Sequence, residues 1–316
     1  MQHIKISVIT SLYRSERFLA HYLRHVGNIR NPAECEFILV HNDPTEEELN
    51  ILAAFDHPDI LLIHLAVPRE SLYSSWNRGI KAARGELITV WNVDDIRFPD
   101  SLLLQASALD LNPDAAISYG DIYGTTVYEH YGDQLYRFPE YSSNPKEFWR
   151  SHLVNCFQMW RKSIHESVGY YDEQFRCTGD FDFQIRTAMR YPFAKATAPL
   201  GVYLEKQPHK ISNSPLQALE NNIVYLRYGI FEKLQLPLLA KSVAAYRKDE
   251  FLYEGKWIRN NERTPFSLLY RLRGILIAML LIPKYLAKMF RDRYFPKWTL
   301  RPDHETFERK YAISDL

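Results

Sequence analysis

In roughly the first 120 residues, stretches rich in β-branched side chains alternate with stretches whose apolar residues recur every three or four positions. That alternation restricts the fold more than any other feature of the chain. Ile4 to Thr10, Glu36 to Val40, Ile60 to Ala66 and Leu87 to Val90 with Trp91 read as strands. Between them, Glu16 to Val26 places Phe18, Leu19, Tyr22, Leu23 and Val26 on one helical face. A second helix opens at Thr45-Glu46-Glu47-Glu48, with a hydroxyl and acids at its N-terminus, and a third covers Ser71 to Ala83. Strands alternating with helices of about ten residues predict right-handed βαβ units, hence an α/β fold with a mostly parallel sheet covered on both faces.

The fourth strand runs straight into Asn92-Val93-Asp94-Asp95, so an apolar strand ends by presenting carboxylates. In an open parallel sheet, ligands bind at the carboxyl ends of the strands. Two adjacent carboxylates there are satisfied either by solvent and a helix N-terminus, or by a hard cation such as Mg²⁺ or Mn²⁺ bridging protein to diphosphate. Neither GxGxxG after the first strand nor GxxxxGK[ST] anywhere is present, which disfavours dinucleotide oxidoreductases and P-loop phosphotransferases.

Farther on, Pro99 to Leu111 is predicted helical and Ala115 to Tyr119 extended. Val127 to Tyr131 and Gln134 to Phe138 around Gly132-Asp133 predict a hairpin, in a region where Tyr123, Tyr128, Tyr131, Tyr136 and Trp149 form either a sugar platform or an aromatic minicore. Asn155 to Trp160 is expected as a strand, Ser163 to Val168 and Asp180 to Arg190 as helices, and Tyr203 to Lys206 as a last strand. From Pro215 the pattern reads as helical, Leu216 to Lys233 and then Pro237 to about Trp257. This divides the chain into 1–214, with halves 1–120 and 121–214, a helical extension 215–264, and a tail 265–316.

Between Phe266 and Arg301 the tail carries an apolar run, Ile275 to Ile282, flanked by Arg271, Arg273, Lys284, Lys288, Arg291, Arg293, Lys297 and Arg301, with Asp292 as its single acid. A spanning helix needs about 20 apolar residues, so the run is too short to cross a bilayer. It reads as a helix lying in the interface, with a core helix or a dimer contact as the other reading. The formal charge of +1 argues against a general polyanion surface, so no nucleic-acid partner is expected. Cys35, Cys156 and Cys177 are too few and scattered for a disulfide framework or a thiolate metal site, and the amino end shows no leader pattern. The expected location is therefore cytoplasmic, peripheral on the membrane face.

Taken together, the segments resemble family 2 glycosyltransferases of the GT-A fold over roughly the first 210 residues. Ser7-Val8-Ile9-Thr10 is similar to that family's opening strand, and Val40-His41-Asn42-Asp43-Pro44-Thr45 to its Asp-Asp-Gly-Ser-Thr segment. Asn77-Arg78-Gly79-Ile80-Lys81-Ala82-Ala83-Arg84-Gly85-Glu86 matches the Asn-x-Gly-Ile-x-x-Ala-x-Gly-Glu approach to the metal strand, and Asn92-Val93-Asp94-Asp95 takes the DxD position. Gly169-Tyr170-Tyr171-Asp172-Glu173 resembles Gly-Gly-Phe-Asp-Glu, Thr178-Gly179-Asp180-Phe181-Asp182 stands at Glu-Asp-x-Asp, and Tyr203 with His209-Lys210-Ile211-Ser212 at Tyr-x-x-His-x-x-Ser. Three positions depart from the pattern: Asn42 and Asn92 each replace an Asp, and Gly179 replaces the Glu.

The resemblance implies inverting transfer of a hexosyl group from a nucleotide diphosphate, most simply a UDP-sugar, to a hydroxyl of a glycan or lipid-linked glycan. It implies Asp180 as general base, Asp94, Asp95 and His209 around Mn²⁺ or Mg²⁺, and Thr10, Ser11, Asn42, Asp43, Asn77, Asn92 and Asp94 around the donor. Asp182 is expected to point elsewhere on its helix and to serve structure or the acceptor. Because Asn92 and Gly179 remove two acids, the alternative is a non-catalytic module that binds a nucleotide sugar or recruits a partner to the membrane.

Overall fold

The computed structural model describes residues 3–131, 134–205, 214–261 and 266–294. The first half is built as the alternation predicts: β1 (Ile6–Leu12), α1 (Glu16–Gly27), β2 (Cys35–Asn42), α2 (Glu46–Ala53), β3 (Leu61–Val67), α3 (Leu72–Ala82) and β4 (Leu87–Val90). Then follow β5 (Ile96–Arg97), α4 (Ser101–Leu111), β6 (Ile117–Tyr119), β7 (Ile122–Thr125), β8 (Gln134–Tyr136), α5 (Glu147–Arg150), β9 (Met159–Arg161), α6 (His165–Val168), α7 (Gly179–Ala188), β10 (Phe193–Lys195) and β11 (Gly201–Leu204). The remainder is α8 (Leu216–Tyr228), α9 (Leu239–Ala245), β12 (Glu250–Tyr253), β13 (Lys256–Arg259), α10 (Leu268–Leu280) and α11 (Ile282–Tyr294).

A seven-stranded sheet runs in the order β10-β6-β9-β4-β1-β2-β3. β1 pairs in parallel with both β2 and β4, and β2 with β3, while β9 inserts antiparallel between β4 and β6. Central β2 is buried at every position because helices cover both faces, whereas β3, at the edge, leaves His64 and Ala66 exposed. A four-stranded sheet, β5-β11-β7-β8, sits beside it. Since β4 belongs to the first sheet and β5 to the second, the Asn92–Asp95 loop bridges the two layers.

Caps follow the sequence signals. Thr45 and Glu48 form a reciprocal capping box at α2, and Glu48 also accepts the Ser15 N–H at 2.6 Å, tying the start of α1 to α2. Buried Glu36 accepts the Ser7 hydroxyl and the Arg84 backbone N–H, each at 2.6 Å, and so fixes the approach to β4.

Three expectations are corrected. The hairpin in the tyrosine-rich region forms, but its first arm is Ile122–Thr125 rather than Val127 to Tyr131, because β11 offers Ile122–Thr125 a parallel partner; its Gly132-Asp133 turn lies outside the described residues. Pro237 to Trp257 is not one helix: α9 stops at Ala245, and β12 and β13 pair antiparallel around Glu254-Gly255. Both turn residues lie in the left-handed region, φ 48° and 72°, a two-residue connection that matches strand twist. Nor do the aromatic residues assemble one platform. Tyr128 packs edge-on against Phe18 and His21, while Trp149 packs on Phe266 and donates to the Ala188 carbonyl.

Candidate active site

A cleft of about 370 Å³ opens at the carboxyl ends of β1, β2 and β4. Its walls include Ser11 from β1, Asn42 from β2, Tyr73 and Trp76 from α3, Asn92 and Asp94 from the β4–β5 loop, and Asp180 from the first turn of α7. Thus Asp94 and Asp180, 86 positions apart in the chain, face one cavity. Asn92, Val93 and Asp94 are half-buried there, as side chains at a strand end must be to meet a ligand while anchored.

Asp180 is held firmly. Its Oδ1 accepts the Phe181 N–H at 2.9 Å and the Tyr73 hydroxyl at 3.2 Å, and Oδ2 lies 3.6 Å from His152 Nε2. Burial, and then the Asp180 charge, hold the Tyr73 phenol far above its ordinary range, so it stays a donor. The loop before α7 is ordered by Glu220 of α8, a fully buried carboxylate that accepts the N–H groups of Arg176, Cys177 and Thr178 at 2.8 to 3.0 Å.

Other expected site residues are placed elsewhere. Thr10 does not reach the cleft: it is fully buried, bonded to the Tyr22 hydroxyl and the Trp91 carbonyl, because successive strand residues face opposite sides and Ser11 takes the cleft side. Asn77 is 2 % exposed and clamps Tyr171, donating to its carbonyl and accepting its N–H, so it joins α3 to the Gly169–Glu173 segment instead of lining the cleft. Asp43 is exposed, at φ 58°, outside the cavity wall. Asp95 is 1 % exposed and turned from the cavity, its carboxylate accepting the Leu204 N–H at 3.3 Å and the Asn92 amide at 3.2 Å. Asn42 touches the cleft, yet its amide is engaged with the Glu70 backbone, donating to O and accepting from N, both at 2.9 Å. His209 lies outside the described residues.

Tyr203, of the Tyr-x-x-His-x-x-Ser resemblance, lines the cleft, and several other lining residues were not among the sequence candidates: Tyr13 under the Arg69 guanidinium, 3.2 Å from the ring centroid, with Glu70, Cys156, Arg176 and Cys177. The Arg69 stack is a cation–π contact, and no motif announces one. Burial, then Glu220, pushes the Cys177 thiol up to about 11, so it does not act as a thiolate near neutral pH. Asp182, expected to point elsewhere on its helix and to serve structure or the acceptor, is fully buried and bonded to Arg186, Arg227 and Tyr228.

Among the described residues, no three His, Cys, Asp or Glu side chains converge to hold a metal ion by themselves. Asp94 supplies one carboxylate on the cavity wall, and Asn92 an amide beside it. That donor set fits a divalent ion carried largely by diphosphate oxygens and water, the usual mode for Mg²⁺, rather than an all-protein cage.

The fold is shared with S. aureus TarS in its complex with UDP-GlcNAc, at a TM-score of 0.60 and 14 % identity, covering 87 % of this chain and 72 % of that one. It is shared too with the mannosyltransferase PcManGT from Pyrobaculum calidifontis, in complex with GDP-Man and Mn²⁺, at a TM-score of 0.50 and 13 % identity over 93 % of this chain and 82 % of that one. Both are GT-A folds. An uncharacterized glycosyltransferase of Methanocaldococcus jannaschii is 25 % identical over 188 residues, 57 % of this chain, and the match spans 63 % of that relative's length. The family model described as glycosyl transferase family 2 matches residues 7–169, more than half of the sequence, and the chain belongs to that family.

Proposed function

We propose that the chain is an inverting glycosyltransferase that moves a hexosyl group from a nucleotide diphosphate, a UDP-sugar in the simplest reading, to a hydroxyl of a glycan or lipid-linked glycan. The observation that carries this reading is the shared cavity of Asp94 and Asp180 at the strand ends of a family 2 fold. Asp180 serves as general base. The acceptor O–H gives its proton to the carboxylate, its oxygen bonds the anomeric carbon, and the bond from that carbon to the diphosphate breaks, the electron pair leaving with the diphosphate. Asp94 is the residue that would hold Mn²⁺ or Mg²⁺ with the donor; when bound, the ion neutralises charge on the diphosphate. Arg69 and Arg176 on the same wall add fixed positive charge.

A cytoplasmic protein resting on the membrane surface completes the reading. No described helix is long and apolar enough to cross a bilayer. Instead α10 turns its small residues inward: Ala278 is fully buried, and a Cβ on Gly274 would meet the Glu232 backbone N at 2.8 Å. Its large ones face out, with Leu268, Leu269, Leu272, Leu276, Met279 and Leu280 each more than half exposed. Exposed Arg273 and Lys284 lie along the same arm, so an anionic lipid surface complements it in both apolarity and charge.

Purified protein is incubated with UDP-GlcNAc, UDP-glucose, UDP-galactose and GDP-mannose plus Mn²⁺, and released nucleotide is measured. Turnover of at least one donor, lowered at least a hundredfold by Asp94→Ala and by Asp180→Asn, is expected. Metal-dependent nucleotide binding without turnover, unchanged by Asp180→Asn, would instead identify a binding module.

A further inference from the structure

Gly179 stands next to Asp180, and the space beside it is already filled. A Cβ built on Gly179 would lie 2.8 Å from Cδ2 and Cε2 of Tyr73 and 2.9 Å from its Cζ. The ring therefore occupies the room that any side chain at 179 would need. The ring is itself immobilised, 2 % exposed, edge-on to Trp76 and stacked on Tyr171 with centroids 5.5 Å apart. From this fixed platform the hydroxyl reaches one oxygen of the Asp180 carboxylate at 3.2 Å, and the Phe181 N–H reaches the same oxygen at 2.9 Å. The other oxygen, Oδ2, has the His152 imidazole 3.6 Å away.

We propose that Tyr73 is the positioning residue of this cleft: its hydroxyl locks Oδ1 of Asp180 and leaves Oδ2, beside His152, as the oxygen that takes the acceptor proton. This rests on the reading of Asp180 as the base. A two-fold carboxylate that rotates freely presents either oxygen in any direction, whereas one pinned at Oδ1 presents a single lone-pair direction to the cavity. The polar and charged groups around this carboxylate are Tyr73 from α3, His152 from the segment after α5, Tyr171 from the segment before α7, Arg176 and Cys177 from the loop that opens α7, and Asp94 across the cavity. Tyr73 is the one whose hydroxyl donates to Oδ1.

Tyr73→Phe keeps the ring beside Gly179 and removes only the hydroxyl. In the full chain, hydrolysis of whichever of UDP-GlcNAc, UDP-glucose, UDP-galactose and GDP-mannose the native protein turns over is followed against pH. The expected result is kcat lower by about tenfold or more at unchanged donor KM and an unchanged melting temperature. Native kcat in Tyr73→Phe, with turnover lost in Asp180→Ala, overturns the proposal. Full turnover in Asp180→Ala would instead remove the base assignment.

Discussion

The Arg227 guanidinium spans two carboxylates in the interior, 2.6 Å from Asp182 Oδ1 through Nη1 and 3.0 Å from Asp172 Oδ2 through Nη2, with all three side chains buried. The same arginine donates to the carbonyls of Arg247, Lys248 and Glu250, so one side chain fastens α7, α8, the Gly169–Glu173 segment and the start of β12. Burial raises the Asp182 pKa, but Arg227 and Arg186 outweigh it and leave the group below the ordinary carboxylate range. Removing the cation strands buried charge. Arg227→Met should therefore cost about 3–5 kcal/mol in urea unfolding. Arg227→Lys should recover only part of this, because an ammonium cannot reach both carboxylates in a planar fork. Unaltered stability in both variants would show that the network contributes nothing.

His165 gives the fold an acid-sensitive joint. Its Nε2 accepts the Trp160 indole N–H and its Nδ1 faces the Gly169 carbonyl, each at 2.9 Å, which requires the neutral ring with the proton on Nδ1. Burial, only partly opposed by the Gly169 bond, lowers its pKa to about 4. An unfolded histidine titrates near 6.5, so between those values the unfolded chain binds the extra proton. This contribution is complete above pH about 6.5 and is lost as pH falls toward 4, amounting to about 3 kcal/mol. His165→Phe should be less stable than the native chain at pH 7.5, since Trp160 loses its acceptor, yet show a shallower decline between pH 6.5 and 4.5. Parallel pH profiles of unfolding free energy would sink this assignment.

Strand runs and cap residues are local, so β1 to β4 and the helices between them could be read from the chain, and so could the arrival of Asp94 and Asp180 at strand and helix ends. Facing could not. The motif positions Thr10, Asn77 and Asp95 are near the cleft in sequence, but their side chains turn inward to bond Trp91, Tyr171 and Leu204. Antiparallel β9 between β4 and β6 depends on pairing across some 70 residues, which no local pattern encodes. Pro237 to Trp257 misled for a different reason. Apolar residues in so short a stretch satisfy either period, and only Glu254-Gly255 signals the reversal. Glu220 and Tyr73 act through backbone and carboxylate contacts that a sequence pattern does not display.

Asn42 takes the place of an acid, and its contacts explain the amide. The amide both donates to the Glu70 carbonyl and accepts the Glu70 N–H, whereas an ionised aspartate only accepts. An aspartate would set a carboxylate 2.9 Å from a carbonyl oxygen, at a cost of about 1–3 kcal/mol. The loop it would loosen carries Arg69, stacked on Tyr13 in the cleft. Asn42→Asp should lower the melting temperature and weaken UDP binding by about tenfold in calorimetry. Tighter UDP binding by the variant would mean that residue 42 contacts the ligand directly instead of bracing the loop.

The outward leucines of α10 decide whether the carboxy-terminal arm rests on lipid. Leu272 and Leu276 are 52 % and 59 % exposed, one turn apart on a helix whose inner face is fixed against Glu232 by Gly274. Because the packed face is made of small residues, charging the outer face leaves the docking intact. Leu272→Asp with Leu276→Asp in the full chain should keep the native melting temperature. The variant should lose co-sedimentation with vesicles of phosphatidylglycerol and phosphatidylcholine by roughly a hundredfold, the value expected from removing two buried leucines. On the lipid reading, binding of the native chain should weaken with added salt, because the exposed Arg273 and Lys284 would meet the headgroups. If the variant sediments with vesicles as the native chain does, while light scattering shows a dimer turned into a monomer, the arm pairs with a second copy and the lipid assignment is wrong.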